Sequence, residues 1–456
     1  MATVLPVYPR TRRGVELLLL LLAVALSMSA YAVVGLTETG ALPADFFLHG
    51  GALGVLAGVL HVVVRWRASY ADPVLLPVAT LLNGVGLVMI HRLDLAEDSA
   101  LASRQLVWSA LGIVAAGAVL WLLRDHRVLR RYTFTAMVAG FGLLLLPLVP
   151  GLGKTINGAR IWIGVGPLSF QPGELAKILL AVFFAGYLVV HRDALSLTGP
   201  KLLWLQLPRM RDLGPLLVAW GASVGVLVLE RDLGTSLLFF GLFVAVLYVA
   251  TERVSWIVLG LLLFVGGALA AATTFSHVQQ RVDIWLHPFA AENLDRSYQL
   301  VQGLFGMAAG GLLGTGLDRG RPDIVPYAES DFIYSSLGEE LGLAGLFAVL
   351  LLYVLLVERG LRTAVGVRDG FGKLLAGGLA FSVALQVFVV AGGVTRVIPL
   401  TGLTMPFLAY GGSSLVSNWI IVGLLLRVSD LARRPAPEEP AGPGGDTGAT
   451  QVVRLP

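Results

Sequence analysis

The sequence predicts an all-α polytopic membrane protein with about twelve transmembrane helices, each needing about 17–25 apolar residues, and one long extracellular loop. Three observations lead there. Hydrophobic residues make up 56% of the 456 and charged residues 14%, where soluble domains usually carry about 25% charged. Apolar runs joined by short polar links fill nearly the whole chain. The basic residues gather in alternate links, so that with a cytoplasmic N-terminus Arg12 and Arg13, Arg65 and Arg67, Arg124, Arg127, Arg130 and Arg131, and Arg359, Arg362 and Arg368 all fall inside, as the positive-inside rule requires.

In chain order the spans read 15–36, 45–64, 73–91, 105–123, 132–150, 173–190, 214–229, 234–250, 254–273, 332–357, 374–395 and 408–428. The first run, Val15 to Val34, is long enough to span and lacks a cleavage site, so it reads as a helix that stays. Residues 1–14 form a cytoplasmic N-terminus. Residues 431–456, rich in Pro, Gly and Glu, read as a disordered cytoplasmic tail. The connection 274–331 is the long outer loop, and long loops carry function more often than short ones. Within it, 281–288 reads as an amphipathic surface segment. Tyr298 to Leu313 reads as a half-buried helix or re-entrant segment, whose glycines permit close backbone approach or a tight turn.

The absence of cysteine excludes disulfides, thiolate zinc sites and thiol nucleophiles. The seven histidines show no ligand spacing, so no transition-metal site is expected. The net charge of +4 reflects loop topology rather than nucleic-acid binding.

An ionisable group at mid-membrane costs roughly 2.5–3.5 kcal/mol, so each one needs a reason. Glu174 and Lys177 share a helix face just after Pro172, which suits a helix start. They form either a structural ion pair or a charged cavity wall. Arg160, beside Trp162, is an interfacial anchor or a phosphate or sugar ligand. Arg231 and Asp232 lie in a tight outer link, where Asp232 can cap the next helix. Asp331 stands where the tenth span begins, as an N-cap or as a general base whose partly desolvated carboxylate has a raised pKa. Ser335 and Glu339 follow at i+4 and i+8 on one helix face. Two prolines and Gly411-Gly412 break the apolar stretch 396–414. Broken backbone at membrane depth is tolerated where it lines a cavity or is buried in protein.

Five stretches carry a resemblance: GARIWIGVGPLSFQPGELAKI (158–178), ERDLGTS (230–236), YQLVQGLFGMAAGGLLGTGL (298–317), ESDFIYSSLGEELGLAG (329–345) and IPLTGLTMPFLAYGGSS (398–414). In that order they resemble the SEDS family of cell-wall polymerases, comprising RodA, FtsW and SpoVE. The likeness covers 73–430, the catalytic core. The family has ten spans, and the extra pair at 15–64 resembles RodA-type members from actinobacteria. Gly173 and Gly303 stand where the family usually has serine.

The resemblance implies a peptidoglycan glycosyltransferase of the bacterial cytoplasmic membrane, with both termini cytoplasmic. It would polymerise lipid II at the outer face and release undecaprenyl pyrophosphate. Asp331 matches the family's catalytic aspartate. Arg160, Glu174, Lys177, Arg231, Asp232, Glu339 and Ser413 are the expected substrate-binding residues. No cofactor is required with certainty, though the reaction leaves room for a divalent cation, Mg2+ or Mn2+. The implied partners are lipid II, membrane lipids and a class B penicillin-binding protein. A lipid II flippase is the alternative, because a charged hollow between broken helices also suits transport.

Overall fold

The computed structural model describes residues 11–435 except 44, 98, 157–158, 166–167, 197, 203–204 and 209–213. Most of the 1–14 segment, the tail from 436, and Asn157 and Gly158 therefore lie outside the described residues.

The chain is nearly all helical. The helices are α1 (Arg13–Thr39), α2 (Phe46–Arg67), α3 (Leu75–Glu97), α4 (Leu101–Leu122), α5 (Thr133–Leu145), α6 (Pro172–Ser196), α7 (Gly214–Glu230), α8 (Leu233–Thr251), α9 (Val254–Thr274), α10 (Ser276–Leu286), α11 (Leu294–Gly310), α12 (Ile333–Gly366), α13 (Gly370–Val394) and α14 (Gly412–Arg433). Among the described residues, eleven helical stretches are long and apolar enough to cross a membrane, counting α5 with its flanking 3-10 turns as His126–Leu148. The shorter α7 accounts for the twelfth expected span. Helices α3, α13 and α14 are buried over most of their length, while α1, α2 and α9 expose much of their apolar surface. A helix apolar all round can lie against protein on one side and lipid on the other.

Two small antiparallel pieces, absent from the sequence reading, interrupt the helices. Strands β1 (Gly153–Ile156), β2 (Ala159–Val165) and β3 (Leu168–Phe170) form a meander between α5 and α6. Strands β4 (Thr198–Leu202) and β5 (Leu205–Pro208) form a hairpin between α6 and α7.

The additional helices α1 and α2 pack on α3 and α4. Buried Glu16 pairs with Arg13 and receives His61 Nδ1 at 2.7 Å. At their other end the Tyr31 hydroxyl donates to Asp45 at 2.8 Å, and Leu317 of the long connection packs on Tyr31, Val34 and Val88.

The connection 274–331 holds α10 and α11 and then inserts into α12. At Gly342 the α12 backbone leaves helical geometry, with φ +68°. In an unbroken helix the N–H groups of Leu343 and Ala344 would bond the carbonyls of Glu339 and Glu340. Here Leu343 and Ala344 donate to the Gly311 and Leu312 carbonyls at 2.9 and 3.0 Å. The freed Glu339 and Glu340 carbonyls accept from Thr315 and Gly316, both at 3.0 Å. The turn thus exchanges bonds with the helix and leaves none of these groups unpaired. Only glycine permits the approach. A Cβ on Gly310 would collide with the Gly338 carbonyl, and one on Gly314 with the Glu340 carbonyl.

Gly314, at φ +85°, should therefore tolerate no side chain. Gly314→Ala is expected to destabilise the fold by about 1–3 kcal/mol, read as a lower thermal midpoint in detergent. Gly142→Ala, which meets open space, should leave the midpoint unchanged. Equal midpoints for the two variants would show that the inserted turn is not a stability determinant.

Candidate active site

The backbone between α13 and α14, residues 395–411, is irregular, as the prolines and Gly411-Gly412 anticipate. Its carbonyls find partners from all around. Gln105 Nε2 donates to Ala409 O at 2.9 Å, Gln386 Nε2 to Thr404 O at 2.9 Å, and Arg281 Nη1 to Leu400 O at 2.8 Å. Tyr410 N donates to Glu329 O at 2.7 Å, tying the stretch to the end of the long connection. Arg396 and Trp285 clasp each other: Trp285 Nε1 donates to Arg396 O at 3.0 Å, and Arg396 Nε to Trp285 O at 2.8 Å.

This arrangement closes a cleft of about 300 Å³ beneath α10 and α11. Asp331 lies in its wall with Arg281, Arg296, Gln299, Tyr327 and Thr401. The Asp331 carboxyl is pushed up to about 6, first by burial, with Glu329 and Asp232 adding repulsion and Arg281 opposing the rise. An apolar cavity of about 470 Å³ adjoins the cleft, sharing Arg281, Trp285, Val389, Ile398 and Thr401 with it. Its far walls are Trp220, Phe264, Leu269 and Phe388. A charged mouth thus continues into a greasy interior.

The N-cap reading of Asp331 does not hold. α12 begins at Ile333, Phe332 occupies the cap position and no side chain caps the helix. The i, i+4, i+8 stripe breaks for the same reason. Ser335 Oγ bonds the Phe332 carbonyl at 2.8 Å, and the Glu339 carboxylate accepts the Arg321 N–H at 2.6 Å. Of the three, only Asp331 lines the cleft.

Lys177 and Glu174 are buried and paired at 2.6 Å. Lys177 also donates to Gln386 Oε1 at 2.9 Å, and the Ser417 hydroxyl donates to Glu174 at 3.1 Å. Lys177 does not line the cleft, but Gln386 links it to Thr404, beside the cleft residue Leu403. Asp232 caps α8, accepting from Thr235 N at 3.0 Å. Burial raises its carboxyl, and Gly234 packs on Leu403. Arg231 is exposed at φ +58° outside the cleft, although both it and Arg281 depress nearby His277 after burial has done so. Arg160 reaches from β2 to the Val149 carbonyl at 3.3 Å, away from the cleft, and Ser413 is buried in the first turn of α14. The cations that line this cleft are therefore Arg281 and Arg296, and neither Lys177 nor Arg231 is among its lining residues. Sequence pattern marked 281–288 as amphipathic, but periodicity cannot say which face meets protein.

A family model described as a cell cycle protein, FtsW/RodA/SpoVE, matches residues 73–434. The chain belongs to this family. Helices α1 and α2 precede the family region. The peptidoglycan glycosyltransferase RodA of Mycobacterium tuberculosis is 49% identical over 97% of this chain and 96% of its own length. Stage V sporulation protein E of Bacillus subtilis is 33% identical over 80% of this chain and 99% of its own. Among solved structures, a chain in work titled "Structural coordination of polymerization and crosslinking by a peptidoglycan synthase complex" matches with TM-score 0.64 and 29% identity, over 79% of this chain and 97% of that one. The rod shape determining protein RodA of Thermus thermophilus matches with TM-score 0.54 and 29% identity, over 80% of this chain and 98% of that one.

Among the described residues of this family member, no three His, Cys, Asp or Glu side chains are grouped to hold a metal ion. Of the two carboxylates whose charge bears on Asp331, Glu329 and Asp232, the latter is engaged as a helix cap. A divalent cation bound here would rest on one or two carboxylates and the substrate's phosphates, as Mg2+ usually does.

Lys177→Met should destabilise the protein by about 3–5 kcal/mol, because it leaves Glu174 buried and unpaired. Glu174→Gln/Lys177→Met should recover most of that loss. Thermal unfolding of both variants checks this, and a double variant no more stable than the single would refute the paired role.

Proposed function

We propose that this chain is a peptidoglycan glycosyltransferase, a multi-pass protein of the bacterial cytoplasmic membrane that polymerises lipid II. The observation that carries the reading is one carboxylate, Asp331, held in a cleft with Arg281 and Arg296 where that cleft adjoins an apolar cavity. A lipid-linked sugar diphosphate has the matching parts: a polar head for the cleft and a polyprenyl chain for the cavity. The names of the relatives support the activity. The distribution of basic residues supports an outward-facing site and cytoplasmic termini.

Asp331 takes the proton from the acceptor sugar hydroxyl as that oxygen attacks the anomeric carbon of the donor. The bond from that carbon to the diphosphate breaks, and the diphosphate leaves with the electron pair. Such a leaving group needs charge stabilisation rather than protonation, so a single carboxylate suffices. Arg281 supplies that stabilisation in place, since its hydrogen bond to Leu400 O fixes it before substrate arrives. Arg296, exposed at the mouth, is suited to guiding the anionic head inward. The solved complex whose title joins polymerisation to crosslinking supports a crosslinking partner of the class B penicillin-binding protein type.

Purified protein given lipid II in detergent should form glycan polymer, whereas a protein that only moves lipid would form none. Asp331→Asn should abolish polymer while lipid II affinity stays within about tenfold, roughly 1.4 kcal/mol. Near wild-type yield from that variant would reject the base.

The pH profile gives a separate check. A base works deprotonated, so with the carboxyl at about 6 the rate should be full above that pH. It should fall about tenfold per unit below it. A rate unchanged down to pH 4 would place the proton acceptor elsewhere.

A further inference from the structure

Arg92 sits near the end of α3, outside the lining of the cleft, and is almost wholly buried. Its guanidinium joins two segments distant in sequence. Nε lies 2.7 Å from Asp318 Oδ1 and 3.0 Å from Glu340 Oε1, and Nη2 donates to the Gly320 carbonyl at 2.9 Å. The other oxygen of Glu340 accepts the Asp318 N–H at 3.1 Å. One planar fork therefore grips α12 at Glu340 and the long connection at Asp318 and Gly320. Asp318 is held at φ +64°, a conformation a non-glycine residue keeps only where its surroundings fix it.

The grip lies directly after the turn that exchanges backbone bonds with α12, and Leu317 beside it packs on α1 and α3. From there the chain runs through Pro322–Ile324 to Asp331. Buried ion pairs add little net stability, since desolvation offsets the attraction, but they can fix a register. Lysine could not replace the fork, because it offers a point charge without the planar donor pair.

We propose that Arg92 is a positioning residue for glycosyl transfer, setting the register of the 311–331 connection against α12 and so delivering Asp331 to the cleft. The link to catalysis rests on the reading of Asp331 as the base, while the clamp itself does not.

The test uses the full-length protein in detergent with lipid II as substrate. Arg92→Met strands two buried carboxylates and can fail to fold. The working variant is therefore Arg92→Met/Asp318→Asn/Glu340→Gln, which removes the three buried charges and leaves only the exposed Glu38 beside residue 318, with Arg92→Lys beside it. For the triple variant the thermal midpoint should stay near wild type and kcat should fall at least tenfold. KM should change less than threefold, and the amides of residues 316–321 should exchange at least tenfold faster. Arg92→Lys should shift kcat and exchange in the same direction by less. Unchanged protection at 316–321 overturns the proposal. So does an undiminished kcat per folded molecule, which is the result a purely structural role gives. Exchange is read without substrate, so it is independent of the base. Full activity in Asp331→Asn, with fast exchange and low kcat in the Arg92 variants, would discard the base and retain the clamp.

Discussion

The backbone of α12 gives up two of its own hydrogen bonds at Gly342, and the site is organised around how those groups are re-paired. The Gly311–Gly316 turn fills the gap, accepting from Leu343 and Ala344 and donating to Glu339 and Glu340. An unpaired backbone group away from water costs several kcal/mol, so a turn that leaves the helix exposes four such groups at once. The insertion is in effect all-or-none. It fixes where the long connection re-enters the protein, and hence where Asp331 stands.

The same constraint governs the other irregular wall. Residues 395–411 pass among buried helices without regular structure, yet Gln105, Gln386, Arg281 and Tyr353 donate to their carbonyls. These side chains belong to α4, α13, α10 and α12, so the cleft takes shape only when four helices are packed together. Gln386 does double duty, bonding Thr404 with one end of its amide and buried Lys177 with the other. The Glu174–Lys177 pair thereby supports the cleft wall from behind without entering the cleft.

Much of this was legible in the chain. The apolar runs located the spans because a lipid-facing helix must be apolar over its full length. Pro172 marked a helix start and the prolines of 396–414 marked broken backbone. Glycines at 310, 311, 314 and 316 pointed to close approach in the long connection. Less legible were the β meander around Arg160, which lies in a link that hydropathy reads only as polar, and the inward direction of Arg281. An amphipathic helix has the same pattern whether its polar face meets water or a broken backbone.

By itself the sequence determined the class of fold and the family, because hydropathy and the five motifs are local properties of the chain. Tertiary structure alone decided which cations share the cleft with Asp331, because Arg281 and Arg296 meet it across a gap that no spacing along the chain encodes. It also decided which partners hold Glu339 and Lys177, since a buried charge pairs with the group that packing brings within about 3 Å.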